Sequence, residues 1–269
     1  MTATPMTQTP MTQALERGER PVVSATRAIT VITQRDLIRQ VKHPGMLATQ
    51  AMQMVFIVVV FGVGFNDMIP PSGGLPFSAY VFPGIIAIQV VTVGINAGLG
   101  YAWDREFGVL REMLVAPVPK VCLPAGKVVA TGVIGCVQSA VMLLLSPILG
   151  VPLTAGGFVM ATLAYTLTGI VFATVGLLLA TTMKHIQSLQ AAVSLAMFPM
   201  LFLSGSVFRP DAIPGWLAAA ITVNPMSYAV DLVRHVLLGG GFLPPVADLV
   251  VLLGVGLAAG AVIRLRVGR

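Results

Sequence analysis

Charge is scarce in this sequence. Only 10% of its 269 residues are Asp, Glu, Lys or Arg, against about a quarter in an ordinary soluble domain, and that composition excludes the soluble globular class. Cysteine is nearly absent. Cys122 and Cys136 are too few for a disulfide framework and read as small apolar side chains. There is no G-x-x-x-x-G-K-[S/T] phrase, since PAGKVV at 124–129 lacks the upstream Gly and the Ser/Thr. The chain is therefore not a self-contained P-loop ATPase. His43, His185 and His235 stand in separate segments without H-E-x-x-H or a Cys/His grouping, which argues against a metalloprotease or zinc site. G-x-S-x-G is missing too. No catalytic residue and no metal ligand is expected.

What remains is apolar: 56% of the residues are hydrophobic. A hydrocarbon core about 30 Å thick needs roughly 20 apolar residues per helix. Six windows approach that length, at 46–65, 79–101, 128–150, 158–182, 188–208 and 247–263. None carries a charge at its centre, where insertion costs about 2.5 to 3.5 kcal/mol. The expected fold is an all-α polytopic membrane protein with six transmembrane helices. No ionisable residue is expected within these spans, which argues against a proton- or ion-coupled pump. Asn96 and Gln138 are polar side chains inside the windows and are the candidates for a substrate path, with packing the default role. Gly94 with Gly98, and Gly256 with Gly260, form small-xxx-small faces suited to close helix approach.

The cations set the orientation. With six spans and an inside N-terminus, 14 of the 16 Lys and Arg residues fall in inside segments, and only Arg209 and Arg234 fall outside. Both termini are then expected in the cytoplasm. Residues 1–24 are rich in Thr, Pro and Gln, lack an apolar core and read as a disordered cytoplasmic tail, leaving 25–269 as the membrane domain. The stretch from Thr26 to Lys42 forms an amphipathic pattern, with Arg35, Arg39 and Lys42 on one face, and reads as an interfacial helix ahead of the first span.

Two connections carry more pattern than a loop requires. In WDREFGVLREMLVAPVPK at 103–120, Trp103, Phe107, Leu110 and Leu114 make one helical stripe, and Pro117 and Pro119 stop it. Asp104, Arg105, Glu106, Arg111 and Glu112 find no opposite charge three or four residues away, so they are expected to be free for another partner. Between the last two spans, residues 216–223 are apolar but too short to cross. Asn224-Pro225 then supplies an N-cap and a first-turn Pro, predicting a second short helix from Pro225 to about Leu238, ended by Gly239-Gly240-Gly241. Asp231, Arg234 and His235 share a face of it. The pair reads as interfacial or re-entrant helices on the outer side.

Taken together, YVFPGIIAI at 80–88, the charged stretch at 103–120 and FLSGSVFRPDAIPGWLAAAITVNPMSYAVDLVR at 202–234 resemble the permease subunit of the ABC-2 transporter family, most nearly the daunorubicin/doxorubicin-resistance type of exporter. The most specific parts are R-E-x-G-x-L-R-E-x-L-x-A-P-V at 105–118 and N-P-x-x-Y-A-V-D at 224–231. The resemblance implies that the charged stretch is a coupling helix seated on a separate ATPase subunit. Arg105, Glu106, Gly108, Leu110, Arg111 and Glu112 would form its surface, with Phe107 and Leu114 as anchors. It also implies ATP and Mg on that partner and none on this chain, and a second copy or a related permease alongside. Asn224, Pro225, Tyr228 and Asp231 would belong to external gate helices. The expected function is export of a hydrophobic or amphipathic drug, antibiotic or lipid across a bacterial plasma membrane. The alternatives are a polysaccharide or cell-envelope lipid exporter, or a membrane scaffold or sensor.

Overall fold

The computed structural model of the protein describes residues 24–42, 44–57, 59–60, 64, 76–108, 119–151, 153–206 and 214–267. Among these residues it is entirely helical: α1 Ala25–Lys42, α2 Pro44–Ile57, α3 Phe77–Glu106, α4 Cys122–Leu143, α5 Ala155–Thr182, α6 Ile186–Phe202, α7 Gly215–Val223, α8 Pro225–Leu238 and α9 Pro245–Val267, with a 3-10 turn at Ser146–Leu149. Four of these, α3, α4, α5 and α9, are long and apolar enough to cross a membrane. α6 is apolar but only 17 residues long. Of the first expected span, the described residues are those in the 14-residue α2 together with 59, 60 and 64.

The centre of the bundle is the crossing of α3 and α5. Phe82, Ile86, Val90 and Val91 of α3 and Tyr165, Phe172 and Leu177 of α5 are almost wholly enclosed. Glycine lets the two backbones meet. A Cβ on Gly98 would collide with the backbone carbonyl of Gly176, and one on Gly94 would come within 2.9 Å of Phe172 Cβ. Apolar side chains gain little from leaving lipid for protein, so this close packing, rather than burial, favours association. The second expected small-residue face is looser: a Cβ on Gly256 would meet Val171 Cγ2 at 3.1 Å, and one on Gly260 would find Thr174 Cγ2 at 3.8 Å. Polar ties add to the core. Tyr165 donates its hydroxyl proton to the Pro83 carbonyl at 2.9 Å, inside the enclosed region.

α1 lies along α4. A Cβ on Gly126 would meet Ile32 Cγ2 at 2.7 Å, and the Thr33 hydroxyl donates to the Gly126 carbonyl at 3.2 Å. α8 packs against α9, α5 and α3, and its ends follow local chemistry. The Asn224 side chain accepts from the Met226 amide, Pro225 opens the first turn, and Gly239 closes the helix in the left-handed region. The predicted limits of this helix agree with the observed ones.

Three expectations are corrected. The charged stretch does not begin a separate helix at Trp103. α3 continues without a break to Glu106, and Gly108, at φ +78°, ends it. A left-handed residue does not continue an α-helix, so α3 stops there, and Leu110 and Leu114, the rest of the predicted stripe, lie outside the described residues. The third apolar run is not one helix either: α4 starts six residues before the expected Val128, and turns and the 3-10 segment replace its end. Finally, the earlier start takes Lys127 into α4, and Asp248 sits near the start of α9. The apolar helices therefore do contain buried ionisable groups.

Candidate functional site

Charge collects at both ends of α3. At the Glu106 end, Asp104 and Lys127 are almost fully enclosed and meet at 2.8 Å. Two carboxylates and three cations share the cluster. Arg35 reaches Asp104 at 3.1 Å and Asp36 at 2.8 Å, Lys127 also reaches Asp36 at 3.3 Å, and Arg39 lies 3.8 Å from Asp104. Burial disfavours the Arg35 charge, but its hydrogen bond to Asp36 and the fields of Asp36 and Asp104 outweigh that and raise its pKa above the ordinary value. The network ties α1, α3 and α4 together. Of the three cations predicted on one face of α1, Arg35 and Arg39 join it and Lys42 stays exposed.

One residue further along, Arg105 spans to the C-terminus of α5. Its guanidinium donates to the carbonyls of Ala180 at 2.9 Å, Met183 at 2.7 Å and Lys184 at 3.1 Å. The last carbonyls of a helix have no partner within it, and a cation there also complements the helix dipole. Asp104 and Arg105 are thus engaged inside the chain. The expectation that they are free is corrected, because tertiary neighbours supply what i+3 and i+4 positions do not. The exposed groups at this end are Trp103, Glu106 and Phe107, with the two rings stacked at 5.2 Å between centroids. Leu110, Arg111, Glu112 and Leu114 lie outside the described residues.

Between α1, α3 and α4, beside the ion network, opens a cavity of about 450 Å³ lined by Gln40, Asn96, Gly100, Trp103, Lys127 and Thr131. Asn96 is on its wall. Gln138 is not: it is half-buried on α4, and its Oε1 is enclosed without a hydrogen-bond partner among the described residues. Of the two candidates for a substrate path, Asn96 lines this cavity and Gln138 does not.

At the Tyr80 end, the loop after α6 folds over α3. Gly205, at φ +69°, offers its carbonyl to the Tyr80 hydroxyl at 3.2 Å and to Arg234 Nη2 at 3.1 Å. The Arg234 guanidinium stacks 4.2 Å from the Tyr80 ring centroid and 5.3 Å from that of Phe242. Asn224 also donates to the Met200 carbonyl at 2.8 Å, joining α6 to the α8 cap. Tyr228 donates to the Thr222 carbonyl at 2.6 Å, which fixes α7 against α8. Asp231 accepts backbone N–H bonds from Phe242 and Leu243 at 2.9 Å. Sequence reasoning missed Asp36, Lys127 and Asp248; the only signals were a lone Lys and a lone Asp at the margins of apolar runs.

Residues 27–238 match the family model described as ABC-2 type transporter. The chain is similar to the inner membrane transport permease YadH of Escherichia coli strain K12, at 25% identity over 77% of this chain and 80% of that one. It is 24% identical to the putative transport permease ycf38 of Cyanophora paradoxa, over 76% of this chain and 72% of that protein. Nodulation protein J of Rhizobium leguminosarum bv. trifolii is 25% identical over 66% of this chain and 68% of its own length.

Proposed function

The chain belongs to the ABC-2 type transporter family and is a multi-pass membrane transport permease subunit, and from that premise we propose that it forms the membrane half of an ATP-driven exporter. ATP and Mg bind a separate ATPase subunit, and a second permease, identical or related, completes the assembly. Six spans, with both termini and the Glu106 end of α3 on the cytoplasmic side, fit the distribution of Lys and Arg. The cargo class is a hydrophobic or amphipathic drug, antibiotic or lipid.

One observation supports this reading most. The most enclosed helix of the bundle ends in an exposed Trp103, Glu106 and Phe107, and Arg105 fastens that same end to α5. Force applied at Phe107 therefore moves α3 and α5 as one body. Such a lever suits an ATPase that drives the chain through residues 105–114, shifting the bundle between states that differ in which side is open.

The test is reconstitution of the full chain with its co-purifying ATPase in lipid vesicles. Combining Phe107→Ala with Arg111→Ala and Glu112→Ala is expected to lower substrate-stimulated ATP hydrolysis at least about tenfold, a loss of about 1.4 kcal/mol in coupling. Unchanged turnover in that variant contradicts the proposal.

A further inference from the structure

Asp231, His235 and Asp248 bring one donor atom each to within 4.8 Å of the others. Asp231 and His235 are four residues apart on one face of α8, and the packing of α9 on α8 delivers Asp248. Asp248 is the anomaly. It is fully enclosed, and among the described residues neither of its carboxylate oxygens accepts a hydrogen bond. His235 Nδ1 lies 3.9 Å from its Oδ2. A carboxylate held in this way is strongly disfavoured unless a proton or a cation neutralises it.

We propose that Asp231, His235 and Asp248 bind a divalent transition-metal cation of the zinc class. An imidazole with two carboxylates is a borderline donor set of the kind zinc accepts, with water in the fourth position. Calcium and magnesium ask for about six oxygen ligands, which three side chains do not supply. The Asp231 carboxylate is already aimed by the Phe242 and Leu243 amides, and it keeps lone pairs beyond those bonds. Nδ1–H of His235 donates to the Asp231 carbonyl at 3.1 Å. Metal loading breaks that hydrogen bond, moves the proton to Nε2 so that the imidazole stays neutral, and frees the Nδ1 lone pair for the ion beside Asp248. Tetrahedral ligands around zinc sit about 3.4 Å apart, so donors that lie within 4.8 Å of one another close by up to about 1.4 Å on the present positions.

Two further features fit a site rather than a chance grouping. Gly241 lies so close that a Cβ there would collide with the His235 imidazole, so the glycine turn closes over the ring. His235 nonetheless keeps 21% of its side chain exposed, and Gly239 to Gly241 are exposed, which leaves a route for the ion. Bound metal clamps α8 to the start of α9.

The test uses the full chain in lipid nanodiscs, stripped with chelator and then titrated with zinc by equilibrium dialysis, with cobalt(II) as a spectroscopic probe. Wild type is expected to bind one zinc per chain, to show the visible bands of four-coordinate cobalt and to gain thermal stability with zinc. Asp248→Asn and His235→Gln each lower the affinity at least about tenfold, the smallest loss typical even of an outer partner. Arg39→Gln, at the opposite end, leaves it unchanged. Zinc binding by wild type no tighter than by the Asp248→Asn, His235→Gln double variant overturns the proposal and leaves only a proton on Asp248. Should either variant fail to fold, the wild-type cobalt spectrum decides: its absence overturns the site. None of these readouts depends on ATP or cargo.

Discussion

At one end of α3, Asp104 faces Lys127 at 2.8 Å with Arg35 and Arg39 alongside. Where α8 meets the start of α9, Asp248 is just as deeply enclosed, but neither oxygen takes a hydrogen bond among the described residues. Both ends bury carboxylates on apolar helices. The difference is compensation: the first end satisfies its charges with side chains of its own, so its contribution is mechanical and constant, joining α1, α3 and α4 at the foot of the lever. The second leaves a charge to be answered by something that comes and goes.

That contrast is best broken by removing one carboxylate at each end. Asp104→Ala leaves the enclosed Lys127 with Asp36 alone, a carboxylate it shares with Arg35, and is expected to cost about 3 kcal/mol, the lower end for a broken buried pair, read as a drop in the unfolding midpoint of the purified chain. Replacing the pair together, Asp104→Leu with Lys127→Met, restores most of the loss, since no charge is then stranded. Persistence of the full loss in the double variant refutes the compensation account.

A second comparison sets the two small-residue faces against each other. Gly98→Ala forces α3 away from the Gly176 backbone and is expected to cost about 1–3 kcal/mol. Gly260→Ala meets nothing closer than 3.8 Å and is expected to stay within about 0.5 kcal/mol of wild type. Next in size, Asn224→Ala strips the α8 cap and the bond to Met200, for about 1 kcal/mol. The smallest effect is the most telling: Asp248→Asn in metal-free protein is expected to cost less than about 0.5 kcal/mol or to stabilise, the reverse of Asp104→Ala. A loss like that at Asp104 removes the difference between the two ends.

Local chemistry made part of this legible in the sequence. The limits of α8 follow from Asn224-Pro225 and Gly239, because caps act within one turn. The apolar runs located α3, α5 and α9 to within a few residues. What the sequence could not reveal depends on residues far apart in the chain. Nothing in WDREF announces that Arg105 answers the carbonyls of Ala180 and Met183, or that Asp104 meets Lys127. Gly98 advertised a close approach, but not that Gly176 would be its partner. His235 stands alone in the sequence because ligand spacing is legible only along one segment, whereas Asp248 arrives on a different helix.

On the proposed function, an ATPase drives this chain through the Glu106 end of α3. The most direct measurement places the photocrosslinker p-benzoylphenylalanine at position 107, and separately at position 242 near the opposite end, in chain expressed in its native membrane. Illumination is expected to join position 107, and not position 242, to a P-loop-containing ATP-binding chain identified by mass spectrometry. Adducts of that chain at 242, or at neither position, would contradict the account.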